Sequence, residues 1–117
     1  MSAPNFLRLG RQAAGIASDK KCIDILLLNI KNISSIADYF LIATAESFPQ
    51  MRAVTETVFK TFRDEEGLMP THSDWRSTGS WAVIDYGGIV IHIMLPSARE
   101  FYALEKIWVD ARKIKVD

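Results

Sequence analysis

At 117 residues the chain is sized for one domain, long enough to bury roughly two-thirds of the surface that its unfolded form exposes. Apolar residues at 49% beside 24% charged exclude intrinsic disorder and a membrane-embedded life, and no apolar run approaches the ~20 residues that span a bilayer. Lys plus Arg and Asp plus Glu both number 14, so no global basic field draws the chain to nucleic acid or anionic lipid, and any such contact has to be local.

The first 18 residues carry two arginines and no acid, a faint likeness to a transit peptide. Against that likeness, Phe6, Leu9, Ala13 and Ile16 or Ala17 recur at helical spacing up to the polar Ser18-Asp19-Lys20-Lys21, and the fold needs that helix. Ile23 to Ile30, apolar nearly throughout, reads as a strand covered on both faces, and Tyr39 to Ala43 as a second, shorter one. Ser47-Phe48-Pro49-Gln50 reads as an N-cap with a glutamine three residues on. Met51, Val54, Val58 and Phe62 then share one face until Gly67 ends the helix. Leu68 to Thr71 is a candidate third strand, and His72 to Gly79, rich in Ser, Thr and Asp, a loop.

Gly87-Gly88 predicts a two-residue hairpin with positive φ at both positions, a type I′ turn. Its register pairs Tyr86 with Ile89, Ile84 with Ile91 and Ala82 with Ile93 on a wholly apolar face. The opposite face pairs Asp85 with Val90, Val83 with His92 and Trp81 with Met94. Trp81, Asp85, His92 and Met94 therefore share a surface. One reading makes His92 a hydrogen-bonded interior histidine, Asp85 turn chemistry and Trp81 packing. The other makes the four a protein-binding patch, since the first face already supplies an apolar layer for helices. Composition leaves both open.

Pro96 to Glu100 opens the last helix, with Ser97 as expected N-cap and Glu100 as its capping-box partner. Phe101, Leu104, Ile107 and Trp108 form a stripe at helical spacing that reads as core. Arg99, in the first turn, opposes the helix dipole and is expected to have another partner, such as Asp85 or a group on a second molecule. The tail Arg112-Lys113-Ile114-Lys115 reads as a frayed, mildly basic end. The whole is an α/β (α+β) domain over residues 1–117, with a core at about 5–108 and a single mixed sheet of about five strands.

Chemistry is sparse. One cysteine, Cys22, and two histidines, His72 and His92, give no metal-ligand spacing, so no metal and no cofactor are expected. A reducing compartment, the cytoplasm, is the expected location. Asp85 and His92 lie diagonally on one face, yet no nucleophile or second carboxylate accompanies them for a triad or a Mg²⁺ site, and no phosphate loop precedes a helix. The chain is not expected to be an enzyme; a nucleotidyltransferase-like nucleotide binder using Asp85 and His92 is the alternative.

Asp19 to Lys21 (DKK), Ala37 to Ser47 (ADYFLIATAES), Trp81 to Gly87 (W-x-x-x-DYG), Val90 to His92 (VIH) and Arg99 to Trp108 (REFYALEKIW) stand in an order and spacing that resembles the ribosomal silencing factor, or Iojap-like, family. The resemblance implies a nucleotidyltransferase-like topology without catalytic carboxylates. It also implies a protein that binds the large ribosomal subunit through ribosomal protein uL14 and blocks subunit joining when nutrients are short. A large-subunit assembly role is the nearer alternative, and a homodimer is left open. Carried over position by position, Trp81, Asp85, Tyr86, His92 and Met94, extended by Arg99 and Tyr102, become the protein-binding residues. Departures are Gly88, where the family usually has an acidic residue after DYG, a neutral rather than acidic chain, and a loop from His72 to Ser80 whose Trp75 is expected to act as a lid or extra anchor.

Overall fold

Helix α1 (Phe6–Asp19) starts where the Asn5 side chain accepts the Arg8 amide at 3.0 Å, and it buries Leu9, Ala13, Ala14 and Ala17 on one stripe. Residues 4–74 and 79–116 are described by a computed structural model. Strand β1 (Ile23–Asn29) leads into β2 (Tyr39–Thr44), every residue of which is buried. Helix α2 (Phe48–Glu66) is capped as expected: Ser47 accepts from the Gln50 amide at 3.2 Å, the Gln50 side chain accepts from the Glu46 amide at 2.7 Å, and Gly67 takes φ 62° at the C-terminus. Four further elements complete the described chain after β3 (His72–Asp74) and β4 (Trp81–Asp85): β5 (Ile89–Met94), α3 (Pro96–Tyr102), α4 (Leu104–Ile107) and β6 (Arg112–Ile114).

The expected mixed sheet forms with six strands rather than five, in the order β3-β4-β5-β2-β1-β6. Strands β2 and β5 run parallel and the other neighbours antiparallel. The β4–β5 register is the one read from the sequence, Val83 opposite His92 and Trp81 opposite Met94. The turn between them differs from type I′. Gly87 alone takes a positive φ, 88°, its amide capped by Asp85 Oδ1 at 2.7 Å. A Cβ on Gly88 would stand 2.1 Å from the Phe6 ring, so this glycine lets α1 rest on the turn.

Two apolar layers sandwich the sheet. On one side α1 and α2 cover Leu27, Leu41, Ile84, Tyr86, Ile89, Ile91 and Ile93. On the other, α3, α4 and Trp108 cover Leu28, Phe40, Ile42, Val90 and Met94. Four sequence expectations fail around this second layer and the edges. The third strand is His72–Asp74, because the Thr71 amide already bonds to Asp85 O at 2.8 Å and pairing begins only after it. Leu95, not Ser97, caps α3, with Pro96 preset for the first helical position. The last helix is broken at Ala103, which takes φ 46° and separates α3 from α4. The basic tail is strand β6, pairing Arg112 with Asn29 and Ile114 with Leu27.

Candidate protein-interaction site

The second face of the sheet is organised around His92. Its imidazole is 6% exposed, and the Trp81 indole N–H donates to Nδ1 at 3.0 Å. With Nδ1 accepting, the neutral ring carries its proton on Nε2, which is buried without a hydrogen-bond partner among the described residues. Burial pushes the pKa down to about 4, so the ring is uncharged at neutral pH. The Phe40 ring packs 4.7 Å from it, and Trp108 meets Phe40 edge-on at 5.6 Å. His92 is an interior residue that orients Trp81, and cannot touch a partner directly.

Burial sorts the other residues carried over from the resemblance. Met94 is completely buried beneath Trp81 in the second layer. Tyr86 lies on the opposite face, 5.0 Å from the Phe62 ring, with burial pushing its phenol up to about 12. This follows from strand alternation, which sends Tyr86 to the side away from Trp81. Asp85 is half-buried and spends its carboxylate on the Gly87 amide, so no bond joins it to His92. Arg99 is neither solvated nor paired with Asp85. Its guanidinium donates to Glu105 Oε2 at 3.2 Å, to Thr44 Oγ1 at 3.0 Å and to the Asp24 carbonyl. Asp24 sits at a β1 bulge with φ 51°. Arg99 thus rivets α3 to the sheet and, through Glu105, to α4 across the Ala103 break.

What reaches solvent is the outer end of an aromatic series. Half-buried Trp81 carries the Tyr102 ring at 4.7 Å, and Phe101 meets Tyr102 edge-on at 5.0 Å while remaining 80% exposed. Ile107 and Val109, on the same covering segment, are 64% and 75% exposed. Large apolar side chains left in water make this segment a candidate interaction surface. Trp81 and Tyr102 are among the candidate residues read from the sequence; the stripe assigns Phe101 and Ile107 to the core and Val109 is not singled out, and Ala103 carries no mark of the break that leaves them exposed. Trp75 lies outside the described residues.

A groove of about 600 Å³ runs beside Arg99 between the start of β1 and helices α3 and α4. Among the described residues, no three His, Cys, Asp or Glu side chains come together, and no helix is long and apolar enough to cross a membrane. Cys22 is buried, which pushes its thiol up to about 11, away from nucleophilic chemistry.

Fold and site define an α+β module whose outward feature is an aromatic surface. The sequence profile of the family described as "Ribosomal silencing factor during starvation" matches residues 3–117, and the chain belongs to that family, RsfS. It is 35% identical over 105 residues to the ribosomal silencing factor RsfS of Bacillus subtilis (strain 168), covering 90% of this chain and 88% of that one. A crystal structure of a Chromobacterium violaceum protein superposes with a TM-score of 0.84 at 26% identity, over 97% of this chain and 92% of that one. The mouse protein named "Mitochondrial assembly of ribosomal large subunit protein 1" is 29% identical over 87 residues, 73% of this chain but only 38% of its own length.

Proposed function

We propose that this protein binds the large ribosomal subunit through ribosomal protein uL14, seats the Phe101–Tyr102–Trp81 surface against it, and blocks subunit joining by occupying the joining face. The observation that carries the reading is the exposed aromatic pair stacked on half-buried Trp81, whose indole is hydrogen-bonded to the buried His92. Rigid aromatic anchors on a preformed support lose little conformational entropy on binding, which is how interface hot spots arise. A standard interface covers about 800 Å² of each partner, and a 13.2 kDa body fixed there is an obstacle to a second subunit. Binding is then set by mass action, and occupancy decides how many subunits pair. Catalysis plays no part. The name of the mouse relative favours a second reading, in which the same contact holds the large subunit during assembly.

Co-sedimentation of the purified protein with isolated large and small subunits, at two salt concentrations, tests the proposal. Expected are selective binding to the large subunit and loss of joined ribosomes when small subunits are added. Joining that proceeds normally over bound protein favours the assembly reading. Absence of binding at low salt refutes both readings, and nucleotide titration with Mg²⁺ by calorimetry would then test the alternative enzyme class.

A further inference from the structure

A second surface lies on the α1 side of the sheet, at the β6 edge. A cavity of about 410 Å³ there is lined by Arg11 of α1, Asn29, Tyr39, Arg112, Lys113 and Lys115 among its residues, and no carboxylate is among them. Lys31 adds a fifth cation, its Nζ 5.3 Å above the Tyr39 ring centroid. The contrast with the rest of the molecule is what makes the corner informative. Arg8, Lys60, Arg63 and Arg99 each pair with a carboxylate, and Lys20, Lys21, Arg52 and Lys106 are spread singly or in sequence neighbours elsewhere, whereas this corner gathers cations from three separate segments around one cavity whose lining holds no carboxylate. In a chain with equal numbers of acidic and basic residues, this clustering is a local positive field of the kind that neutrality overall conceals.

The spacing points to an extended anion. At a strand rise of about 3.3 Å per residue, Arg112 to Lys115 spans about 10 Å, longer than one phosphate group and long enough to meet successive phosphates of one strand. A single compact phosphate needs converging amides or one guanidinium fork; here the charges come from α1, the β1–β2 connection and β6 and are strung along an edge. We propose that this corner binds the sugar–phosphate backbone of RNA without reading its sequence. The protein would then grip the large subunit at two places, a ribosomal protein at the aromatic surface and ribosomal RNA at the basic corner. This rests on the large-subunit reading above.

Lysines on an edge strand also guard against edge-to-edge pairing, so the test variant avoids β6. Arg11→Glu with Lys31→Glu is compared with wild type and with the charge-matched Arg52→Glu with Lys60→Glu on α2. All are measured by co-sedimentation with isolated large subunits from 50 to 200 mM salt, and by fluorescence anisotropy with a labelled poly-uridine oligomer. The corner variant is expected to bind large subunits at least 10-fold more weakly at 50 mM salt. The magnitude of its log–log salt slope should fall by about 1.5, as two lost phosphate contacts require. Its oligomer affinity should fall in parallel, while the α2 variant follows wild type. Wild-type affinity and slope in the corner variant would overturn the RNA contact and leave large-subunit binding standing. Failure of the wild type to sediment with large subunits would remove both. Displacement of the oligomer by inorganic phosphate at constant ionic strength would reassign the corner to a small anion.

Discussion

On the side of the sheet facing α1 and α2, Leu9, Leu41, Val58, Phe62, Ile84, Ile89, Ile91 and Ile93 are all completely buried. On the other side the covering segment leaves Phe101, Ile107 and Val109 mostly in solvent. The first layer uses two long capped helices; the second uses seven- and four-residue helices joined at a left-handed alanine. A seven-residue helix has little stability of its own, and its position comes from Arg99 and from the Trp81–Tyr102 stack. One layer is thus closed, while the other buries its own smaller cluster and leaves part of its covering segment in solvent.

That division can be broken at several points. The largest effect is expected for Ile91→Asp, which places a carboxylate in the first layer and should abolish the folded state in circular dichroism and urea titration; a folded variant would reverse the assignment of the two faces. Next is pH. His92 has its pKa lowered from 6.5 to about 4 by burial, so the unfolded chain takes up the proton first. Its contribution to stability is fully present above pH 6.5 and is lost as pH falls toward 4, amounting to about 2 kcal/mol by pH 5. Urea midpoints at pH 7.5 and pH 5 measure this, and His92→Phe should flatten the difference. Arg99→Ala removes the rivet across the Ala103 break and should cost between about 1 and 2 kcal/mol, with protection of the α3 amides in hydrogen exchange falling more than that of α2. Equal loss in both helices would mean that the second layer is not a separate unit. Smallest is Phe101→Ala, expected to change stability by less than about 0.5 kcal/mol, since the ring is already in water.

Where local chemistry and periodicity agreed, the fold was legible. The Ser47 cap, the Val54–Val58–Phe62 stripe and Gly67 set α2, and strand alternation through Trp81 to Met94 set the hairpin register and its two faces. The third and sixth strands were hidden because their pairing comes from neighbours rather than from their own composition: Arg112-Lys113-Ile114 has one apolar residue, yet β1 offers it a free edge. The candidate site was half legible. Trp81 and Tyr102 stood out as aromatics near the hairpin, and family resemblance brought them together. Phe101 was misread because Phe101, Leu104, Ile107 and Trp108 form a stripe only on a continuous helix, and Ala103 interrupts it with a backbone conformation that alanine rarely adopts. His92, the most conspicuous polar residue of the sheet, lies inside the second layer and accepts from the indole of Trp81.

The exposed Phe101–Tyr102 surface is proposed to be a protein-binding anchor. The most direct measurement is the affinity of Phe101→Ala for isolated large ribosomal subunits, taken alongside its urea midpoint. A wild-type midpoint with binding weakened by about 2 kcal/mol, roughly 30-fold, is the result expected of a hot spot. Wild-type affinity in the same folded variant would contradict the account and place the contact elsewhere on the molecule.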